Sequence, residues 1–119
     1  MISGSTSEEL AKKLAKNLNA NFIKSEIRRF PDGESKITLK SRPKKNTIIV
    51  VQSTFPPVDS NLIQAFSLIA KAKQYSPNVI AVIPYIGYAR QDREFLQGEI
   101  VTMEVIAKLF HAAGAKKSL

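Results

Sequence analysis

Residues 84–99 read PYIGYARQDREFLQGE and directly follow the apolar run VIAVI at 79–83. A connecting loop does not need two arginines, a glutamine and acids in such close order. Arg90 and Arg93 carry planar guanidinium forks that grip phosphate oxygens two at a time. Gln91 offers an amide donor and acceptor to a base edge or a phosphate. Asp92 can pair with an arginine or orient a metal-bound water. Tyr85 and Tyr88 can either pack against the same rim or touch a ligand. The plain alternative is a surface loop whose charges pair with one another.

A second candidate is FPDGE, Phe30 to Glu34. As structure it is a hairpin turn with an aromatic staple, because proline fixes φ and glycine accepts φ > 0. As chemistry it is an exposed ring for stacking, with Asp32 and Glu34 accepting from an exocyclic amine or a ribose hydroxyl. His111 is the sole histidine. It falls with Glu104 and Lys108 opposite an apolar helix stripe, so it reads as solvated and not catalytic. One histidine and no cysteine cannot build a Ser-His-Asp set or a thiolate metal site. The five glycines stand singly, so neither a Walker loop nor a GxGxxG fingerprint is present.

The elements that must position these residues can be read from periodicity. SGSTSEELAKKLAKNL is helical: Leu10, Leu14 and Leu18 with Ala11 and Ala15 form one stripe, and Ser5 with Glu8 or Thr6 with Glu9 fits a capping box. NFIKSEIRRF and ESKITLK alternate, as half-exposed strands near a sheet edge do, with PDG turning between them. TIIVVQS and NVIAVIP are continuous β-branched runs, expected of parallel strands covered on both faces. The segment between them places Val58, Leu62, Ala65, Phe66, Ile69 and Ala72 at helical spacing, with Asp59 or Ser60 as its cap. Strand, helix, strand implies a right-handed βαβ unit. A further helix over 102–113 carries Val105, Ile106, Leu109 and Phe110 and stops at Gly114. The fold expected is α/β, a mainly parallel sheet flanked by helices, as one domain over residues 1–119. GAKKSL lies where such a succession opens its next strand, so the last helix is expected to lead into further chain. Ligands of open α/β sheets sit beyond the carboxyl ends of the strands. Both QSTFPPVDSN and the segment from 84 onward begin there.

The 119 residues carry 18 lysines and arginines against 10 acids, a net charge of +8, which favours anionic partners. Lys12, Lys13 and Lys16 share a helix with Glu8 and Glu9, while Lys40, Arg42, Lys44 and Lys45 flank Pro43. These groups read as a solvated face and a basic turn. No apolar run approaches the roughly 18 residues of a membrane span, and the start has no signal layout. A cytoplasmic setting is the expectation.

SGSTSEELAKKLA, FPDGE, VVQST, DSNL, VIPYIGYARQDR and the GE before the last helix occur in the order seen in ribose-phosphate pyrophosphokinases (phosphoribosyl-pyrophosphate synthetases). The chain resembles their N-terminal domain along essentially its whole length. Such enzymes have two similar domains of the type I phosphoribosyltransferase kind, and the C-terminal half is absent here. The resemblance implies transfer of the β,γ-diphosphoryl group of ATP to the 1-hydroxyl of ribose 5-phosphate, with Mg²⁺, releasing AMP. It implies that Arg90 and Gln91, with Asp92 beside them, contact ATP within the subunit. It further implies a homo-oligomer in which Phe30, Asp32 and Glu34, around Gly33, reach the adenine of a neighbour's ATP. The family's metal-binding histidine, flexible catalytic loop and ribose-phosphate loop lie beyond Leu119. The catalytic residues are therefore expected there, no metal ligand is expected in this chain, and the chain alone is expected to be inactive. Ile100 departs from the family, which often has proline after the glycine–glutamate pair. A non-catalytic nucleotide-binding or regulatory subunit of the same descent is the alternative. A nucleic-acid-binding domain is less favoured, because the basic residues are not interleaved with aromatics.

Overall fold

A computed structural model describes residues 1–119. Its main sheet contains β1 (Ile2–Ser3), β4 (Thr47–Val51), β5 (Asn78–Val82) and β6 (Lys117–Ser118), in the order β1-β4-β5-β6. All three pairings are parallel. The two β-branched runs pair as neighbours, Ile48 opposite Val79 and Val50 opposite Ala81. GAKKSL opens a strand at Lys117, with Ile80 and Ala81 paired to Lys117 and Ser118.

Alternation along the strands sends successive side chains to opposite faces. Ile48, Val50, Val79 and Ala81 pack with Leu62, Ala65, Leu68, Ile69 and Ala72 of α2 (Val58–Lys73) and with Ile106 and Phe110 of α3 (Thr102–Ala113). Phe66 and Phe110 meet edge to face, with ring centres 4.8 Å apart. Val51, with Ile49 packed beside it, joins Ala11 and Ala15 of α1 (Glu8–Asn17) in a second cluster. Helices therefore cover both faces. On α1 the buried positions are the two alanines, and Leu10 and Leu18 of the expected stripe stay exposed. Small side chains let the helix lie close to the sheet. On α3, Val105 and Leu109 likewise remain exposed.

Two expectations about the helix starts are corrected. No side-chain bond caps α1 or α2. The Ser5 and Thr6 hydroxyls bond instead to Gln64 and Gln52, each at 2.8 Å. The Asp59 carboxylate accepts from the Tyr88 hydroxyl. In each case a partner distant in sequence displaces the local cap.

The alternating segments also differ from expectation. β2 (Ser25–Arg29) and β3 (Ser35–Leu39) do not join the edge of the main sheet. They form an antiparallel ribbon of their own, with Ile27 opposite Ile37. Ile37 and Leu39 lean on the main core. The ribbon is linked to the main sheet by one parallel bridge, Ile23 to Ile2, and by the Ser25 hydroxyl, which donates to the Ser3 carbonyl. The chain thus leaves β1 on one side through α1 and re-enters on the other side as β4. That reversal is a topological switch point, where open α/β sheets present their crevice.

Candidate functional site

Three segments meet at the carboxyl rim of the sheet. Residues 4–7 follow β1, residues 52–57 follow β4, and residues 84–92 follow β5. Beneath them lies a buried polar network. Gln52 is fully buried and Gln64 and Asn61 nearly so. The Gln52 amide donates to Gln64 Oε1 at 3.1 Å, and its own Oε1 accepts from the Thr6 hydroxyl. The Ser53 N–H donates to the hydroxyls of Thr6 and Ser7 at 3.1 and 2.9 Å. A β-carbon on Gly4 would come within 2.1 Å of Gln52 Oε1, so only glycine lets the first loop close over that amide. No buried side-chain polar atom lacks a partner.

Thr54 fastens the third segment. Its N–H and hydroxyl both donate to the Tyr85 carbonyl, at 2.8 and 3.0 Å. Its hydroxyl oxygen accepts from the Gly87 N–H at 2.7 Å. Gly87 lies against the start of α2, where an added β-carbon would meet Val58 at 2.4 Å. Further along, Gln91 accepts the Met103 N–H at 3.1 Å. The loop therefore bridges the N-terminal ends of α2 and α3, whose dipoles favour negative charge.

Between those helix starts runs a groove of about 580 Å³, lined by Pro56, Val58, Thr102 and residues 85–91. Arg90 and Gln91 are on its wall. Arg90 is exposed and forms no ion pair. The charges that follow it are engaged locally. Asp92 lies 3.4 Å from Arg93, and Arg93 lies over the Phe95 ring. Glu99 accepts from the N–H groups of Phe95 and Leu96, and Glu94 from that of Gly98. The charge-paired surface loop is thus what residues 92–99 form, whereas Arg90 is left free. Asp92 is not among the groove residues.

The FPDGE tip lies elsewhere. Gly33 takes φ +95°, and Asp32 Oδ1 accepts the Glu34 N–H at 3.0 Å. The Phe30 ring is partly exposed, with the Arg28 guanidinium 5.9 Å from its centre. Asp32, Gly33 and Glu34 share a shallow groove with Ser60 and Ile63 on the outside of α2. Within one chain the tip and Arg90 therefore line separate grooves. A basic groove with Arg42, Lys44 and Lys45 lies at the amino ends of β1 and β4, opposite the carboxyl rim.

His111 is exposed on α3, where the neighbouring Glu104 and Lys108 pair at 3.7 Å. No group of three or more histidine or carboxylate side chains gathers anywhere in the chain. Its residues therefore do not fit a Mg²⁺ cage by themselves. No helix is long and apolar enough to cross a membrane.

At this rim the sequence reading named Arg90 and Gln91 but not Thr54, which fastens their loop, nor Gln52, Asn61 and Gln64, which hold residues 5, 6 and 55. A signal was present. Asn61 and Gln64 stand among Leu62, Ala65 and Leu68 on the inward stripe of α2, and Gln52 ends an apolar strand.

The same fold and sequence pattern occur in known proteins. Residues 1–114 match the model of the N-terminal domain of ribose phosphate pyrophosphokinase. The ribose-phosphate pyrophosphokinase of Clostridium perfringens (strain 13 / Type A) is 39% identical over 100% of this chain, which spans 38% of that protein. That of Methanothermobacter thermautotrophicus is 40% identical over 97% of this chain and 40% of its own length. The crystal structure of phosphoribosylpyrophosphate synthetase from Mycobacterium smegmatis superposes with a TM-score of 0.89 at 27% identity. It covers 98% of this chain and 40% of that one. The chain thus spans about two-fifths of the length of these relatives, and its fold is of the type I phosphoribosyltransferase kind. With 114 of its 119 residues matched and the same sheet beneath them, the chain belongs to the family of ribose phosphate pyrophosphokinase N-terminal domains.

Proposed function

We propose that this chain supplies the ATP-holding rim of a ribose-phosphate pyrophosphokinase, which moves the β,γ-diphosphoryl group of ATP to ribose 5-phosphate and releases AMP. The observation that carries this reading is Arg90. It is the cation of residues 84–99 that neither pairs with an acid nor stacks on a ring, and it stands on a groove between two helix N-termini. A guanidinium there holds phosphate oxygens bidentately. Gln91 beside it reads a base edge or a phosphate, and Asp92 pairs with Arg93. Mg²⁺ enters on the nucleotide's phosphates as part of the substrate. In a homo-oligomer, the tip residues Phe30, Asp32, Gly33 and Glu34 reach the adenine held by a neighbouring copy. Their separation from the Arg90 groove within one chain supports that division of labour. The setting that goes with this reaction is the cytoplasm.

The transferring group must be stabilised by cations placed around its developing charge, and ribose 5-phosphate must be held in line with it. Both tasks fall to the part of the enzyme that residues 1–119 do not span. Losing the placement of the second substrate alone forfeits about 7–11 kcal/mol. Residues 1–119 should accordingly release no AMP that depends on both substrates. The deciding experiment is calorimetric titration of MgATP into the wild type and Arg90→Ala. The expected loss is about 1–3 kcal/mol of binding free energy, the range for a charge-assisted contact. Equal affinity in the two proteins would remove Arg90 from the site.

A further inference from the structure

Tyr88 has φ +66°, a left-handed backbone that bulky side chains rarely adopt and that persists only where surrounding contacts enforce it. Here the enforcing contacts are visible. Before it, the Gly87 N–H is held by Thr54 Oγ1. After it, the Tyr88 carbonyl accepts the Gln91 N–H at 2.9 Å. The third contact is made by the side chain itself. The phenol crosses from the loop to the first turn of α2 and donates to Asp59 Oδ1 at 2.5 Å. Tyr88 and Val58, the neighbour of Asp59, both line the groove that Arg90 borders.

Only Ala89 separates Tyr88 from Arg90, so the direction of the Arg90 side chain is set by the backbone turn at Tyr88. A return of Tyr88 to negative φ would swing residues 89–91 away from α2. The hydrogen bond to Asp59 pushes the phenol pKa above its ordinary value, which keeps it a donor.

We infer that Tyr88 and Asp59 form a positioning latch that holds residues 88–91 in the shape that presents Arg90 and Gln91 to a nucleotide. Neither residue needs to touch the ligand. The inference rests on the ATP reading for its purpose but not for its existence.

The experiment compares the chain with Tyr88→Phe, Asp59→Ala, Asp59→Asn and the Tyr88→Phe/Asp59→Ala double variant. Amide exchange at Gly87 and Gln91 reads the latch directly, and MgATP titration reads its purpose. Tyr88→Phe and Asp59→Ala should each speed exchange and weaken MgATP about 3- to 10-fold, the worth of one hydrogen bond. The double variant should be no worse than either single, because the two share one bond. Asp59→Asn keeps an acceptor oxygen for the phenol and should stay close to wild type. A merely structural role would instead lower the thermal midpoint of every variant without selective loss of MgATP. Unchanged exchange in Tyr88→Phe, or additive losses in the double variant, would overturn the latch. If the wild type fails to bind MgATP while exchange behaves as expected, the latch stands and the ATP reading falls.

Discussion

Replacing Gln52 with glutamate changes one atom of a side chain that has no solvent exposure. The substitution preserves volume, so no cavity term arises. It also preserves Oε1, which accepts from the Thr6 hydroxyl at 2.8 Å. What changes is Nε2, a donor that faces Gln64 Oε1 at 3.1 Å and Asn61 Oδ1 at 3.5 Å. A carboxylate there sets three acceptors against one another, whereas a carboxylic acid can donate to Gln64 as the amide does. Burial and those acceptors both disfavour the charged form, so the folded pKa must rise above the unfolded value of about 4.3. The sign follows from linkage. Below that value both states are protonated and the variant should be nearly as stable as the wild type. Stability is then lost as pH rises toward the folded pKa. If the acid stays protonated in the fold at neutrality, the loss at about pH 7 is about 1.36 × (7 − 4.3), or roughly 3.7 kcal/mol. That is a large share of the roughly 5–15 kcal/mol that stabilises a typical domain. Urea unfolding of both proteins at about pH 4 and about pH 7 measures it as a difference of differences. An equal penalty at both pH values would refute the reasoning, because it would mean that shape and not the donor matters.

Thr54→Val should cost about 1–3 kcal/mol in denaturant unfolding, since it leaves the Gly87 N–H without its acceptor, and should speed exchange of that amide. Phe110→Ala should cost about 3–5 kcal/mol by the same assay, because a buried ring facing Phe66 is removed from between the two helices. The raised phenol pKa of Tyr88 makes its contribution present below the ordinary phenol range and lost as pH climbs through the folded value. Ultraviolet titration of the three tyrosines should show one ionising last, and Asp59→Ala should abolish that delay.

The parallel pair at the centre was legible because Ile48–Val51 and Val79–Val82 are apolar without alternation, a pattern that double coverage explains. The helix spans were legible for the same local reason, their apolar spacing. Helix starts were not. A capping box is a local contest, and here Ser5, Thr6 and Asp59 bond to Gln64, Gln52 and Tyr88, whose proximity depends on the finished fold. The partner of the alternating strands was equally hidden. Alternation tells which face is wet, but not that the ribbon meets β1 only through the bridge at Ile23 and the Ser25 hydroxyl. At the candidate site, Arg90 and Gln91 could be found from their place after a buried strand. Thr54 could not, because its value lies wholly in the backbone groups of residues 85 and 87.

The separate ribbon bears on how the protein can change over generations. Its base is anchored through Ile37 and Leu39, but a β-carbon at Gly33 would meet nothing within 4 Å. Apart from Gly33, whose φ of +95° strains any other residue, mutations at the tip from Phe30 to Glu34 are therefore nearly invisible to selection for a stable core. They are exposed to selection only through whatever the tip touches outside its own chain. Drift in that loop should be restrained by encounter and not by folding, and the tip can be exchanged as a module while the sheet beneath stays the same.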